Sequence, residues 1–290
     1  MRPFTLLAPT IGFLSGGLIA LWSGRGHISA ATTLPMIVGA ISAASLNAAS
    51  NIINQIFDLE IDRINKGARP LPSGRISLGA AWGWSFVFYV ISFGLSIFVA
   101  WEFFFIVLFT AFVTYAYSGP PFRTKRWGLL ANFTIALPRG CLLMVAGWTS
   151  VQPKTMFTLE PWFVGLIFGL FVLGAATTKD YADMEGDARY GCRTLPIIFG
   201  VRASAWIISP FFVIPFLLMP LGALLGVLNG SKSFLSVLGV ILALWGAYVA
   251  YLILRRPEEL TLEANHVSWK HMYLMLVVAQ IGLAAGYYFI

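Results

Sequence analysis

Charge is scarce in this sequence. Of its 290 residues only 11% are Asp, Glu, Lys or Arg, against about 25% in a soluble globular domain. Cysteine occurs twice, at Cys141 and Cys192, and histidine three times. Two distant cysteines without metal-ligand spacing argue against a disulfide framework or a thiolate metal site, and lone histidines do not suggest a metal centre. What is abundant is apolar: 58% of residues are hydrophobic and the mean hydropathy is +0.81. Apolar runs near the ~20 residues needed to cross hydrocarbon recur from end to end. The expectation is therefore an all-α integral membrane protein with a single transmembrane domain over 1–290.

Breaks at charge, Gly/Pro and polar clusters divide the runs into about nine transmembrane helices. They are Phe4–Trp22, Leu34–Phe57, Leu78–Ala100, Phe103–Tyr117, Leu129–Val151, Trp162–Ala176, Ala203–Leu228, Phe234–Leu254 and His271–Ile290. The first has only Arg2 before it and no small-residue cleavage pattern after it, so it reads as a span and not a leader. Only Trp101-Glu102 separates the third from the fourth, which calls for a tight hairpin.

The positive charges sort by span parity. Fifteen of the nineteen Lys and Arg lie at the N-terminus (Arg2) or in even-numbered loops, whereas the odd loops hold Arg25, Lys154 and Lys232, and Arg139 falls inside the fifth span. The positive-inside rule then places the N-terminus and even loops in the cytoplasm and the C-terminus outside, in the cell membrane. The net charge of +7 does not point to nucleic acid, because a nucleic-acid footprint would not follow span parity.

Two even loops repeat one pattern. Asp58-Leu-Glu60-Ile-Asp62 followed by Gly67-Ala-Arg69-Pro-Leu-Pro72 resembles Asp183-Met-Glu185-Gly-Asp187 followed by Gly191-Cys-Arg193-Thr-Leu-Pro196, with a one-residue gap. Four spans separate the copies, so both open on one side, as two related halves would. Seven of the twelve acidic residues sit here, at 58, 60, 62, 180, 183, 185 and 187. Acids are expensive near a membrane, and such a cluster is a functional hypothesis.

Spacing refines it. Asn54, Asp58 and Asp62 recur at every fourth residue and would form one stripe if the second helix continued; Asp180, Asp183 and Asp187 also share a helical face. Facing stripes of carboxylate and amide oxygen suit a hard cation such as Mg²⁺, which keeps coordination sites for water and phosphate. The bland alternative is that these acids simply pair with neighbouring Arg and Lys. Between the two loops, Tyr117-Ser-Gly-Pro-Pro121 ends a span and is followed by Arg123, Lys125 and Arg126, cations suited to a departing diphosphate. Arg139, with Asn132 seven residues earlier, is an intramembrane candidate for contacting the diphosphate or an acidic acceptor.

At these residues the sequence resembles the UbiA superfamily of intramembrane prenyltransferases. Asn54, Asp58 and Asp62 are similar to its Asn-x-x-x-Asp-x-x-x-Asp motif, with Arg69-Pro-Leu-Pro-Ser-Gly74 after it. Asp180, Asp183 and Asp187 resemble its Asp-x-x-Asp-x-x-x-Asp motif, and Tyr117 to Lys125 its tyrosine-and-lysine segment. The resemblance implies a helical bundle around a central cavity open to lipid, with motif loops at 58–77, 118–128 and 180–202. It implies a polyprenyl diphosphate donor, a lipophilic acceptor (an aromatic quinone precursor, a chlorin or a glycerol-phosphate lipid) and two Mg²⁺ ions. Asn54, Asp58, Asp62, Asp180, Asp183 and Asp187 would hold metal; Asn54, Arg69, Arg123, Lys125, Arg139 and Arg193 would bind diphosphate; Tyr117, Lys125, Asp183 and Asp187 would be catalytic. The competing class is a multi-span secondary transporter, which also uses repeats and membrane acids but places its coupling acids near the midplane.

Overall fold

The computed structural model describes residues 4–262 and 266–289, and the described residues contain no strands beyond one isolated bridge. Arg2, counted above among the cations of one face, and Ile290, at the end of the last expected span, lie outside the described residues. The long helices are α1 (Phe4–Ser23), α2 (Ala30–Phe57), α3 (Leu78–Val99), α4 (Trp101–Ser118), α5 (Gly128–Val151), α6 (Leu159–Tyr181), α7 (Val201–Leu224), α8 (Lys232–Leu254) and α9 (Val267–Tyr288). Each expected span is present within five residues of its expected ends. Helix α3 begins where the Ser77 hydroxyl caps the Ala80 amide at 3.2 Å, and Ala100 alone, in extended conformation, separates α3 from α4. The hairpin is thus tighter than a Trp101-Glu102 turn, since both residues already belong to α4.

Helix α6 outruns its expected end at Ala176 and carries Asp180 on its last turn. The run Thr177-Thr178-Lys179 reads as a polar break, but both hydroxyls bond back into the helix, Thr177 to the Leu173 carbonyl at 3.1 Å and Thr178 to that of Ala175 at 2.7 Å. Such back-bonding satisfies a hydroxyl without leaving helical geometry. Helix α5 contains a π-helical turn over Leu137–Leu142, an insertion that re-aims the side chains beyond it.

Lipid is as apolar as the helices, so their association depends on close packing of small residues. Where α1 crosses α5, a Cβ on Gly147 would lie 2.0 Å from the Phe13 carbonyl oxygen and one on Gly16 would lie 2.4 Å from that of Met144. The two backbones touch reciprocally, and neither glycine can be replaced without separating them. Outward-facing positions such as Phe86, Phe98 and Leu244 are large, apolar and exposed, as a lipid-facing surface requires.

A buried carboxylate ties the bundle at the end away from the acidic loops. Glu160, at the start of α6, accepts from the Ser23 hydroxyl at 3.0 Å, the Tyr287 hydroxyl at 2.6 Å, and the Asn229 amide N–H and side-chain NH₂, both at 2.8 Å. Those partners end α1, end α9 and join α7 to α8. Span parity assigns all of these ends to one side, so the hub is an independent check on the alternation of the helices. Bonds to a charged group contribute about 1.5–3 kcal/mol each, and removing the acceptor strands the donors. Glu160→Ala is expected to lower stability by about 3 kcal/mol, read as a fall in the thermal midpoint of the detergent-solubilised protein. An unchanged midpoint would mean the hub holds nothing together.

Candidate active site

The first acidic loop grows directly out of α2. That helix ends at Phe57, and Asp58 takes φ −101° and ψ 10° before a short helix, Leu59–Asn65. The continuous stripe expected across Asn54, Asp58 and Asp62 is therefore broken at Asp58. Helical spacing still survives the bend, because the Asp58 amide bonds the Asn54 carbonyl at 2.9 Å and the Asp62 amide bonds the Asp58 carbonyl at 2.7 Å. The Asn54 side-chain NH₂ donates to Asp58 Oδ2 at 2.8 Å. The second loop repeats the design: α6 ends in a tight turn, Asp183 takes φ −102° and ψ 2°, and a short helix Met184–Arg189 follows. The two short helices pack against each other.

All six residues of the acidic motifs line one polar pocket of about 690 Å³, together with Arg69, Tyr117 and Lys125. Lys66, Lys179, Asn65, Asn132 and Thr194 also line it. Buried Lys125 forms an ion pair with Asp58, Lys66 one with Asp183, and Arg69 one with Asp62 at 2.6 Å. Lys179 donates to the Tyr117 hydroxyl at 3.3 Å and lies 5.5 Å from its ring centroid. Tyr115 instead packs its ring edge-on against Phe57, which leaves Tyr117 as the tyrosine of the pocket.

Not every expected cation reaches it. Arg123 donates to the Phe57 carbonyl at 3.0 Å and lies 3.7 Å from Asp58, at the pocket's border. Arg193 is exposed and does not line the pocket; its backbone amide bonds the Arg126 carbonyl at 3.1 Å, so it joins two loops through main chain. Arg139 lies elsewhere. Its guanidinium donates to Asn51 Oδ1 at 3.0 Å and lines a second, mainly apolar cavity of about 1070 Å³ between α1, α2, α4 and α5. Asn132 hydrogen-bonds Thr177 and lines the polar pocket. The π-helical turn thus separates two residues that α-helical spacing put on one face. Lys66 and Lys179 gave little sequence signal beyond a cation four residues after Asp62 and one immediately before Asp180.

Among the described residues no three acidic or imidazole groups converge tightly enough to cage a metal. The donor set nevertheless fits Mg²⁺, which binds through one or two carboxylates and completes its shell with water and substrate phosphate. The arrangement supplies carboxylates from two sides of one pocket, and three of them, Asp58, Asp62 and Asp183, are paired with a lysine or arginine that a divalent cation would displace. Asp187, half-buried, is pushed up to about 6, chiefly by desolvation and further by the Asp183 and Asp58 carboxylates, against the pull of Lys125 and Lys179. Asp62 is also raised, because burial outweighs the attraction of Arg69.

Residues 7–285 match the UbiA prenyltransferase family. The chain belongs to that family. It is an intramembrane prenyltransferase, and the transporter alternative is set aside. Among relatives, the digeranylgeranylglyceryl phosphate synthase of Methanobrevibacter smithii is 30% identical over 87% of each chain. The bacteriochlorophyll synthase 34 kDa chain of Chloroflexus aurantiacus is 28% identical over 98% of this chain and 89% of its own. A solved digeranylgeranylglyceryl phosphate synthase structure superposes with a TM-score of 0.68 at 27% identity, covering 99% of both chains. A UbiA homologue from Archaeoglobus fulgidus, solved with GPP and Mg²⁺, gives a TM-score of 0.72 at 19% identity, covers 98% of this chain and 97% of that one, and supports the fold.

Metal ligation requires ionised carboxylates, so protons compete with the metal where the ligand titrates. Divalent-metal affinity is expected to fall about tenfold per pH unit below about pH 6, measured by Mn²⁺ titration with electron paramagnetic resonance. Asp187→Asn should flatten that profile. An affinity constant down to pH 5 would exclude Asp187 from the site.

Proposed function

We propose that this prenyltransferase moves a prenyl group of about four isoprene units from its diphosphate to a lipophilic acceptor carrying an anionic oxygen, with two Mg²⁺ ions. The observation that carries the reading is the join between its two cavities. Asn54, Tyr117, Ile135 and Lys179 line both the polar pocket and the apolar cavity, so a diphosphate in one continues as a hydrocarbon chain in the other. Helix α4 runs along that cavity from Tyr117 to Phe103, fourteen residues or about 21 Å. Phe103 and Phe13 meet edge to face at 5.9 Å, both fully buried, against Gly39 of α2. An extended chain advances about 1.2 Å per bond, so four isoprene units reach this floor.

Asn54, Asp58 and Asp62 from one half, and Asp180, Asp183 and Asp187 from the other, would hold the metal. When bound, Mg²⁺ would neutralise the departing diphosphate and ease rupture of its carbon–oxygen bond. Lys125, freed from Asp58, and Lys66, freed from Asp183, turn to the diphosphate oxygens alongside Arg69. The electron pair leaves with diphosphate and the allylic carbon becomes cationic at the pocket junction. There the face of the Tyr117 ring, whose hydroxyl is held by Lys179, would stabilise positive charge. Apolar walls keep water from the cation. An acceptor oxygen or carbon forms the new bond, and its proton passes to Asp183 or Asp187; the Asp187 carboxyl, pushed up to about 6, suits that transfer at neutral pH.

Arg139, bonded to Asn51, adds a cation within the mainly apolar cavity, beyond Lys179 at the junction of the two cavities. That favours an acceptor with a phosphate or carboxylate, and the digeranylgeranylglyceryl phosphate synthases among the relatives favour the glycerol-phosphate class over aromatic rings and chlorins. Span parity supports placing the motif loops on the cytoplasmic side of the cell membrane.

Crossing geranyl, farnesyl, geranylgeranyl and longer diphosphates with glycerol-phosphate, aromatic and chlorin acceptors, and reading products by mass spectrometry, tests this directly. The expected result is pyrophosphate release with a geranylgeranyl donor and a glycerol-phosphate acceptor. Phe103→Ala should shift preference toward longer donors by about tenfold. Release with no combination would reject the reading, and an unshifted preference would reject Phe103 as the floor.

A further inference from the structure

The first acidic motif ends on a residue that no ligand role accounts for. Asn65 closes the short helix Leu59–Asn65 and lines the polar pocket, half-buried, yet its amide is turned to protein. Its NH₂ donates to the Asp183 carbonyl at 3.0 Å, and its oxygen accepts from the Gly186 amide at 3.0 Å. One donor and one acceptor partner fix which way the amide faces. The side chain thereby spans the first turn of Met184–Arg189, 118 and 121 residues away in sequence. It also lies flat on Gly186, where a Cβ would come within 2.5 Å of Oδ1 and 2.6 Å of Nδ2.

The neighbouring residue behaves differently. Lys66 pairs with the Asp183 carboxylate, and that ion pair must open when the carboxylate takes metal and the lysine takes diphosphate. The Asn65 bonds go to main-chain groups, which loading leaves unchanged. Residues 65 and 66 thus hold the backbone and the side chain of the same aspartate, and only the backbone hold persists through turnover. Lys66 answers to charge; Asn65 answers to distance.

We infer that Asn65 is a positioning residue: its two-point amide bridge sets the separation between the acidic motifs of the two halves, and so the metal–diphosphate geometry. The inference rests on the proposed function. It does not depend on chain length or acceptor. Residues that orient metal ligands from behind typically contribute 10–100-fold to metal affinity.

The test is Mn²⁺ binding, followed by electron paramagnetic resonance with inorganic pyrophosphate present, together with thermal unfolding in detergent. Asn65→Ala is expected to weaken Mn²⁺ binding by about tenfold or more and to lower kcat, with KM for the acceptor unchanged. Gly186→Ala should reproduce the effect, since it pushes an intact Asn65 off its seat. Asn65→Gln, which keeps the neutral donor and acceptor on an arm one methylene longer, should fall between. Wild-type Mn²⁺ affinity in Asn65→Ala and Gly186→Ala overturns the inference, even where the unfolding midpoint drops, because Asn65 would then be merely structural. Should Asn65→Ala fail to fold, the neutral Gln variant decides by the same comparison. A wild-type protein that binds no Mn²⁺ with pyrophosphate would instead reject the proposed function, and the inference with it.

Discussion

Carboxylates at the ends of apolar helices must be neutralised where they stand, and the polar end of this bundle is organised by that requirement. Asp58 is buried and meets Lys125, with Arg123 at 3.7 Å; Asp62 meets Arg69; Asp183 meets Lys66. A buried ion pair gains little net stability, because desolvation offsets most of the Coulombic attraction. On the proposed function its value would lie in readiness: each of these three acids is held with a cation that a metal would replace, and the freed cation would face the diphosphate. The cations that line the pocket come from two loops and the end of α6: Lys66 and Arg69, Lys125, and Lys179.

Two halves can converge on one ligand only if the helices beneath them are held in register. At one end Glu160 collects the termini of α1 and α9 and the α7–α8 connection. In the middle, Gly16 and Gly147 let α1 and α5 touch backbone to backbone. At the other end Asn65 bridges the motif helices directly. Between these ties the walls of α1, α2, α4 and α5 stay far enough apart to leave the apolar cavity. A rigid frame with one hydrophobic void beside one charged pocket suits a reaction that must hold a greasy chain and shield its cation from water.

Much of this was legible in the sequence, for physical reasons that differ by feature. Spans followed from hydropathy, and facing loops from the parity of Arg and Lys. The clustering of acids in two loops marked every carboxylate of the pocket, because acids near lipid are too expensive to be incidental. The failures lie where tertiary contacts decide. Thr177 and Thr178 look like a helix end and are not, since their hydroxyls fold back onto the helix. Asp58 interrupts a stripe that spacing made continuous. Arg193 shares the repeat with Arg69 but faces outward, and the two copies are equivalent in backbone more than in side chain. The π-helical turn of α5 parts Asn132 from Arg139, and no residue pattern announces such an insertion. Lys66 and Asn65 look ordinary until the second half of the chain is brought beside them, and Lys179 until the first half is.

The central claim is that both acidic motifs serve one diphosphate. A double-mutant cycle on Asp58→Ala and Asp183→Ala, read as Mn²⁺-dependent binding of pyrophosphate, tests it most directly. If the motifs act as a unit, each single variant removes most of the binding and turnover, and the double variant loses little more than either. Strictly additive losses would mean two independent sites, and would contradict the account.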